Sequence, residues 1–221
     1  MRKYGICFNI LIIFFAVCFS GSFPRPLAAQ EDSGIEAYNA GAYVDAEAKL
    51  RMTLLGDPMN IAARYYLGRT LLHQQKLTEA VKELEKAKSD LKQATPESQL
   101  DVPSAYQVDL ALGQTFLELQ AYEKAWFALE SARLENPGSS DVYLHRGIYY
   151  YKLKEYTKAV EDLEKSIKLN SENAYAYYYA GMAYFEIGSP DKMVEVFEIF
   201  LELAPYSPEA PDVKKRVDEA C

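Results

Sequence analysis

The sequence predicts an all-α solenoid of antiparallel helix pairs. The main observation is a period of 34 residues with one longer interval of 45 residues, marked by five glycines: Gly34, Gly68, Gly113, Gly147 and Gly181. A second observation is that apolar residues recur at helical spacing inside the period, as in Ala159, Leu163 and Ile167. Periods of this length are typical of architectures that stack one helix–turn–helix per repeat.

Each period carries the same kinds of residue at the same offsets. The unit that starts at Ala174 illustrates the order: Tyr177, Ala180, Gly181, Tyr184, Met193, Phe197, Phe200 and Pro205. Small residues at the glycine and alanine offsets allow the two helices of a unit to approach closely, and proline ends the second helix. The units are predicted at 30–60 (partial), 61–94, 106–139, 140–173 and 174–207.

This pattern resembles the tetratricopeptide repeat family over about residues 30 to 207. The resemblance implies a right-handed superhelical solenoid that presents a binding surface. Lys92 and Ser171 depart from the family pattern, because a proline would close the unit at each of these positions. The charged segment 208–221 is predicted to form a capping helix over the open end of the solenoid.

Eleven additional residues, 95–105, separate the second and third units. The helix that begins at Thr78 is predicted to continue through Leu91 until Pro96 ends it. The insertion could be a binding loop or only a longer connection, and such insertions are more often connections.

Residues 1–29 fall outside the repeats and are predicted to be a secretory signal peptide. Arg2 and Lys3 precede an apolar run, 10–19, which has the order of a signal sequence. The run is shorter than the roughly 20 apolar residues that a membrane span requires. We therefore expect an exported protein, either periplasmic or membrane-associated and facing the periplasm.

The processing of this segment has several alternatives. Cleavage after Ala29 is preferred because the repeat register begins there, while cleavage after Ser22 or retention as an uncleaved anchor stays open. Cys18 is a candidate for lipidation, although the preceding Val17 is larger than a bacterial lipobox requires. An anchor or a lipid would associate the protein with a membrane through its N-terminus.

Charge and cysteine content exclude several classes of protein. The net charge is −8, and removal of the first 29 residues would leave 21 basic and 32 acidic side chains, so binding to nucleic acid is not expected. Cys7 and Cys18 lie in the predicted signal, which leaves Cys221 without a partner for an internal disulfide. Cys221 could still pair two copies, and the oligomeric state is open.

The sequence contains no arrangement of residues that supports catalysis or metal binding. His73 and His145 fall in different units, and no zinc-binding helix, paired-cysteine motif, phosphate loop or nucleophile elbow is present. The protein is therefore predicted not to be an enzyme and to need no cofactor or metal.

The family resemblance implies a concave face lined by offsets 2, 5, 9, 12 and 13 of the first helix of each unit. The predicted partner-binding residues are Tyr65, Arg69, Leu72, His73, Leu110, Gln114, Leu117, Leu144, Ile148, Tyr151, Tyr175, Tyr178, Met182 and Phe185. This apolar and aromatic lining predicts a protein or peptide partner with an apolar or amphipathic segment. Packing of some tyrosines against neighbouring repeats or the chain ends is the alternative. The lysine and asparagine that form a carboxylate clamp in relatives are missing from offsets 5 and 9.

The sequence thus predicts a non-catalytic adaptor or scaffold that binds a protein segment outside the cytoplasm. One alternative is a bacterial envelope lipoprotein that assists assembly of pili or outer-membrane proteins, which requires a lipidated Cys18. The other alternative is a self-associating structural protein that pairs through Cys221 or an exposed end.

Overall fold

The computed structural model describes residues 27–94 and 102–220, with side chains from Ser33 onward. These residues form eleven helices and no strand, which confirms the all-α prediction. The first ten helices form five antiparallel pairs and the last stands alone. They are α1 Leu27–Asn39, α2 Tyr43–Gly56, α3 Ile61–His73, α4 Leu77–Gln93, α5 Ala105–Glu118, α6 Tyr122–Glu135, α7 Ser140–Lys152, α8 Tyr156–Leu169, α9 Ala174–Glu186, α10 Pro190–Leu203 and α11 Ala210–Ala220.

The two helices of each pair meet at the repeated glycine. A Cβ atom placed on Gly147 would lie 2.5 Å from Cγ of Leu163, and one on Gly68 would lie 2.6 Å from Cγ of Leu84. Carbon atoms do not approach this closely, so only glycine permits the observed helix separation. The predicted close approach at the glycine offset is confirmed.

The turn inside each pair has one conformation in all five units. A residue with positive φ follows the first helix in each case: Gly41 (73°), Gln75 (60°), Gln120 (57°), Lys154 (63°) and Gly188 (75°). The N–H group of the next residue donates to a carbonyl five residues earlier, as Lys76 does to Leu71 at 2.9 Å. This bond is the long one of the Schellman motif that ends many helices.

The stacking of the pairs produces the concave face. The second helix of each pair contacts the first helix of the next pair, and consecutive first helices also contact one another. The main core extends from Ile61 to Val213, and a smaller cluster around Leu50 and Leu67 holds the first unit. Val213 is buried against α10, so α11 covers the end of the stack as predicted.

The two irregular segments of the sequence are partly described. Helix α4 has 17 residues, more than its counterparts, as predicted. Ser104 is the N-cap residue of α5 and forms a capping box with Gln107. Most of the insertion, residues 95–101, lies outside the described residues, as do Cys18, most of the predicted signal peptide and Cys221. Within the part of the chain that is described, no helix has the length and apolar character needed to cross a membrane.

Candidate functional site

The concave face contains a cavity of about 530 Å³ between α3, α5, α7 and α9. We call this cavity and its rim the groove. Its lining comes from four consecutive units: Arg69, Leu72, His73, Gln75, Gln114, Leu117, Glu118, Asp141, Leu144, His145, Ile148, Asn173, Tyr175 and Tyr179.

Eight of the fourteen predicted residues line the groove: Arg69, Leu72, His73, Gln114, Leu117, Leu144, Ile148 and Tyr175. Leu117, Leu144 and Ile148 are buried and form an apolar floor. His73 and Tyr175 are exposed at the rim, where the Tyr175 side chain is 43% accessible. The groove therefore combines an apolar base with a polar and aromatic edge.

Two predicted lining residues are buried elsewhere. Tyr65 and Leu110 are 4% and 9% exposed and do not line the groove. Both occupy offset 5, as does Leu144, which lines the groove, so the offset alone does not place a side chain in the groove. Tyr65 and Leu110 pack in the main core instead, so their predicted groove position is corrected.

The remaining four predicted residues also lie outside the cavity. The ring of Tyr178 packs 5.4 Å from that of Phe200, and Phe185 lies beneath the guanidinium of Arg216 at 4.7 Å, where α11 covers the end of the fifth unit. Met182 is partly buried against the same core.

Tyr151 is the last of these four. It contacts Tyr156 and Tyr179, with ring centroids 5.5 and 6.1 Å apart. The structure thus directs these side chains to neighbouring rings and to the chain end, the alternative that the sequence left open.

Arg69 supplies positive charge at the N-terminal end of the groove. Its guanidinium lies 5.2 Å from the ring centroid of Tyr38 and 5.8 Å from that of Tyr65, and it donates to the Tyr65 hydroxyl at 3.4 Å. Aromatic faces attract a guanidinium but leave most of its N–H donors unused. No carboxylate among the described residues forms an ion pair with Arg69.

Two histidines close to Arg69 stay neutral at physiological pH. Burial, followed by the charge of Arg69, lowers the pKa of His145 to about 4. The neutral Nε2 of His145 accepts a hydrogen bond from the Gln114 amide at 2.6 Å. The pKa of His73 is lowered by the same two causes, and its ring stacks on Tyr43 with centroids 4.4 Å apart.

Negative charge lies farther along the groove, on Glu118 and Asp141. Both side chains are exposed, and Asp141 accepts a hydrogen bond from the Asn173 amide at 3.5 Å. The groove is therefore electrically asymmetric, with a cation in the second unit and carboxylates in the third and fourth. Such an asymmetry favours one orientation of a bound segment over the reverse.

The sequence reasoning missed His145 and Tyr179, which both occupy offset 6. Offsets 2, 6, 9 and 13 recur at intervals of four, three and four residues, so they share one face of a helix. Helical periodicity could therefore have identified these two residues. Gln75 and Asn173 lie at the helix ends and carry no such signal.

The side chains that line the groove combine apolar groups with a few hydrogen-bonding groups. The described residues contain no group of three histidine, cysteine or acidic side chains placed to hold a metal ion. The groups that converge on the floor are apolar carbons, an amide and a neutral imidazole. These groups can bury an apolar side chain and hydrogen-bond a backbone.

Comparison with known proteins agrees with this architecture. Sequence models described as tetratricopeptide repeat match residues 31–98 and 110–167, and two further repeat models match residues 147–188 and 175–206. No curated protein matches the sequence.

Solved structures share the fold. A thermophilic TPR protein of Thermus thermophilus is 20% identical, covers 88% of this chain and 98% of its own, and superposes with a TM-score of 0.70. The MamA protein is 26% identical, covers 81% of this chain and 92% of its own, and has a TM-score of 0.59. Repeats of this type are typically non-catalytic scaffolds for protein–protein interaction. The tetratricopeptide repeat model matches more than half of the sequence, and the chain belongs to the tetratricopeptide repeat family.

Proposed function

We propose that this protein is an extracytoplasmic adaptor that binds an amphipathic segment of a partner protein in the groove. The observation that carries the proposal is the continuous apolar floor of Leu117, Leu144 and Ile148 beneath a polar and aromatic rim. A segment with one apolar face would bury that face on the floor and keep its polar face in water.

The dimensions of the groove suit a short segment. Packed helices lie about 8–10 Å apart, so four consecutive first helices span roughly 27 Å. That distance corresponds to about eight extended residues or a helix of about 18 residues. A cavity of about 530 Å³ holds only a few large side chains, so the segment would be anchored at a few positions.

The charge distribution suggests an orientation. An acidic or hydrogen-bond-accepting end of the segment would lie near Arg69, and a basic end would lie near Asp141. Reversal would place like charges together and weaken the complex.

Export is supported by the apolar run 10–19 behind Arg2 and Lys3. The intact mass of the protein purified from its native host distinguishes the alternatives. A chain that begins near Gln30 indicates cleavage, a full-length chain indicates an anchor, and a chain that begins at Cys18 with added acyl mass indicates a lipoprotein.

The test of groove binding compares two double variants in affinity capture from native extracts. The groove variant carries His73→Glu and Tyr175→Glu, two exposed rim positions whose replacement should leave the fold intact. The matched control carries Phe127→Glu and Leu134→Glu on the exposed face of α6, outside the groove.

We expect a partner to be retained by the wild type and the control and lost by the groove variant, with all three proteins showing the same helical content. A partner retained equally by both variants would contradict groove binding.

A further inference from the structure

Helix α2 presents an apolar stripe to solvent on the face opposite its buried residues. Four of its residues recur at intervals of four, four and three and therefore share one face of the helix: Val44, Ala48, Met52 and Leu55. Val44 and Leu55 are 82% and 76% exposed, and Met52 is 56% exposed. Met59, just beyond the helix, continues the stripe at 59% exposure. We call these five residues the α2 stripe.

The stacking of the helix pairs does not require an apolar residue at these places. The second unit carries Thr78, Lys82, Lys86 and Ser89 at the positions equivalent to the four helical residues of the stripe, and the fourth unit carries Thr157, Glu161, Lys165 and Lys168. On α6 the exposed Phe127 and Leu134 are separated by Ser131, so they form no continuous stripe. A contiguous exposed apolar surface that the fold does not need indicates a contact with another segment.

The N-terminal part of the chain enters the solenoid close to the α2 stripe. Helix α1 begins at Leu27 and runs antiparallel to α2, so its start lies beside the end of α2 that carries Leu55. The apolar run 10–19 precedes α1 and is connected to it by residues 20–26. Seven extended residues reach up to about 24 Å. The far side of α2 is about 20 Å away, the sum of one helix separation and one helix diameter, so the connection is long enough.

The run and the stripe also agree in length. Ten residues in a helix extend about 15 Å, and the stripe from Val44 to Leu55 extends about 16 Å. The run has about half of the roughly 20 apolar residues that a membrane span requires. An apolar surface of the protein itself can bury one face of such a run without a full membrane crossing.

We propose that, in the chain that retains residues 1–29, the run 10–19 lies along the α2 stripe and parallel to α2. The connection at Leu27 sets this direction, with Cys18 near Leu55 and Cys7 near Val44. The two cysteines are eleven residues apart, as are Val44 and Leu55. Cleavage after Ala29 would remove the run and uncover the stripe, so that processing changes the outer surface of the first unit.

A second copy of the chain suits the stripe less well. Each partner of a stable interface contributes roughly 20–30 residues, whereas the stripe has five. The stripe shares no residue with the groove, and the inference does not depend on the binding proposed there.

The test is disulfide trapping in the full chain. Synthesis in a membrane-free translation system prevents processing, and the intact mass confirms that residues 1–29 are present. Cys221→Ser removes the third cysteine, and Leu55→Cys places a thiol on the stripe. Two cysteines whose Cα atoms lie within about 7 Å can form a disulfide without movement of the backbone.

We expect mild oxidation to join Cys18 to the thiol introduced by Leu55→Cys within one chain, as identified by mass spectrometry of proteolytic peptides. The yield should exceed that of Phe127→Cys, the exposed control on α6, by at least about tenfold, because a docked segment has a high effective concentration at its site. The yield should not depend on protein concentration. Val44→Cys should pair with Cys7 instead.

A charge on the stripe tests whether apolar contact holds the run in place. Met52→Glu should slow the crosslink of Leu55→Cys at least about fivefold, since burial of a carboxylate against apolar groups is costly. Phe127→Glu should leave the rate unchanged. Both positions are exposed, so circular dichroism should show the same helical content in all variants.

Four results would overturn the proposal. They are a yield from Leu55→Cys no higher than that from Phe127→Cys, disulfides that join two chains instead of one, a full chain without a monomeric fraction, and an unchanged crosslinking rate with Met52→Glu.

Discussion

The two sides of each first helix differ in how strictly they repeat. On one side of α7, Gly147 meets Leu163, and the same glycine-to-leucine contact recurs at Gly68 and Leu84. On the groove side, the position after the glycine is Ile148 in the fourth unit but Arg69 in the second and Gln114 in the third. The repeated side holds the helix pairs together, and the variable side differs from one unit to the next.

The largest expected loss of stability follows from a substitution on the repeated side. Gly147→Leu should lower the free energy of unfolding by about 3 kcal/mol or more, because even a Cβ atom would overlap Leu163. Urea denaturation followed by circular dichroism measures the change. Gly138→Ala is the matched control, since its nearest atom would be 3.6 Å away, and it should change stability by less than about 0.5 kcal/mol. Equal free energies of unfolding in the two variants would contradict the assigned register of the repeats.

A smaller loss of stability is expected on the variable side, when His145 becomes protonated at acidic pH. Its pKa of about 4 in the folded state lies below the unfolded value, so the unfolded chain binds more protons between pH 6.5 and pH 4. The stabilisation by neutral His145 is complete above pH 6.5 and is lost as the pH falls to 4. Since the ring keeps some solvent contact, we expect a loss of about 2 kcal/mol.

The comparison of wild type with His145→Gln isolates this contribution from other titrating groups. Urea denaturation at pH 7 and pH 4 should show a smaller loss of stability on acidification in the variant. Identical losses in the two proteins would contradict a neutral His145 in the folded state. An NMR titration of the imidazole reports its pKa directly.

The smallest effect is expected at the turns, where the conformation repeats but the residue does not. Lys154 has a φ of 63°, which is strained for a residue with a side chain, whereas Gly41 occupies the same place in the first unit. Lys154→Gly should stabilise the protein by about 0.5–1 kcal/mol, and Gly41→Ala should destabilise it by about 1 kcal/mol. Chemical denaturation of both variants would show changes of opposite sign, and changes of the same sign would argue against a shared turn.

The repeated positions were predictable from the sequence. The five repeated glycines, the first Gly34 and the last Gly181, fix the register of the repeats. Helical spacing of the apolar residues between the glycines identifies the helices. The helix pairs and the capping helix therefore follow from local pattern and period. Helix α4 could be extended through Leu91 because Pro96 supplies the end signal.

The groove was predictable only in part, because its shape depends on the curvature of the whole stack. Tyr65 and Leu110 are buried in the core although Leu144 at the same offset lines the groove, and no local pattern reports this difference. Phe185 packs against Arg216 of α11, a contact between residues separated in the sequence, while the side chain stays 50% exposed. His145 shares a helical face with the predicted offsets and could have been included.

The central claim is that the groove binds a protein segment. The most direct measurement is site-specific photocrosslinking in native extracts, with a photoreactive phenylalanine analogue at Tyr175 in the groove or at Phe127 on α6. Both positions are aromatic and exposed, at 43% and 74%, so the probe itself is matched. We predict a discrete protein adduct from position 175 and none from position 127. Adducts from position 127 alone, or the same adducts from both, would contradict the claim.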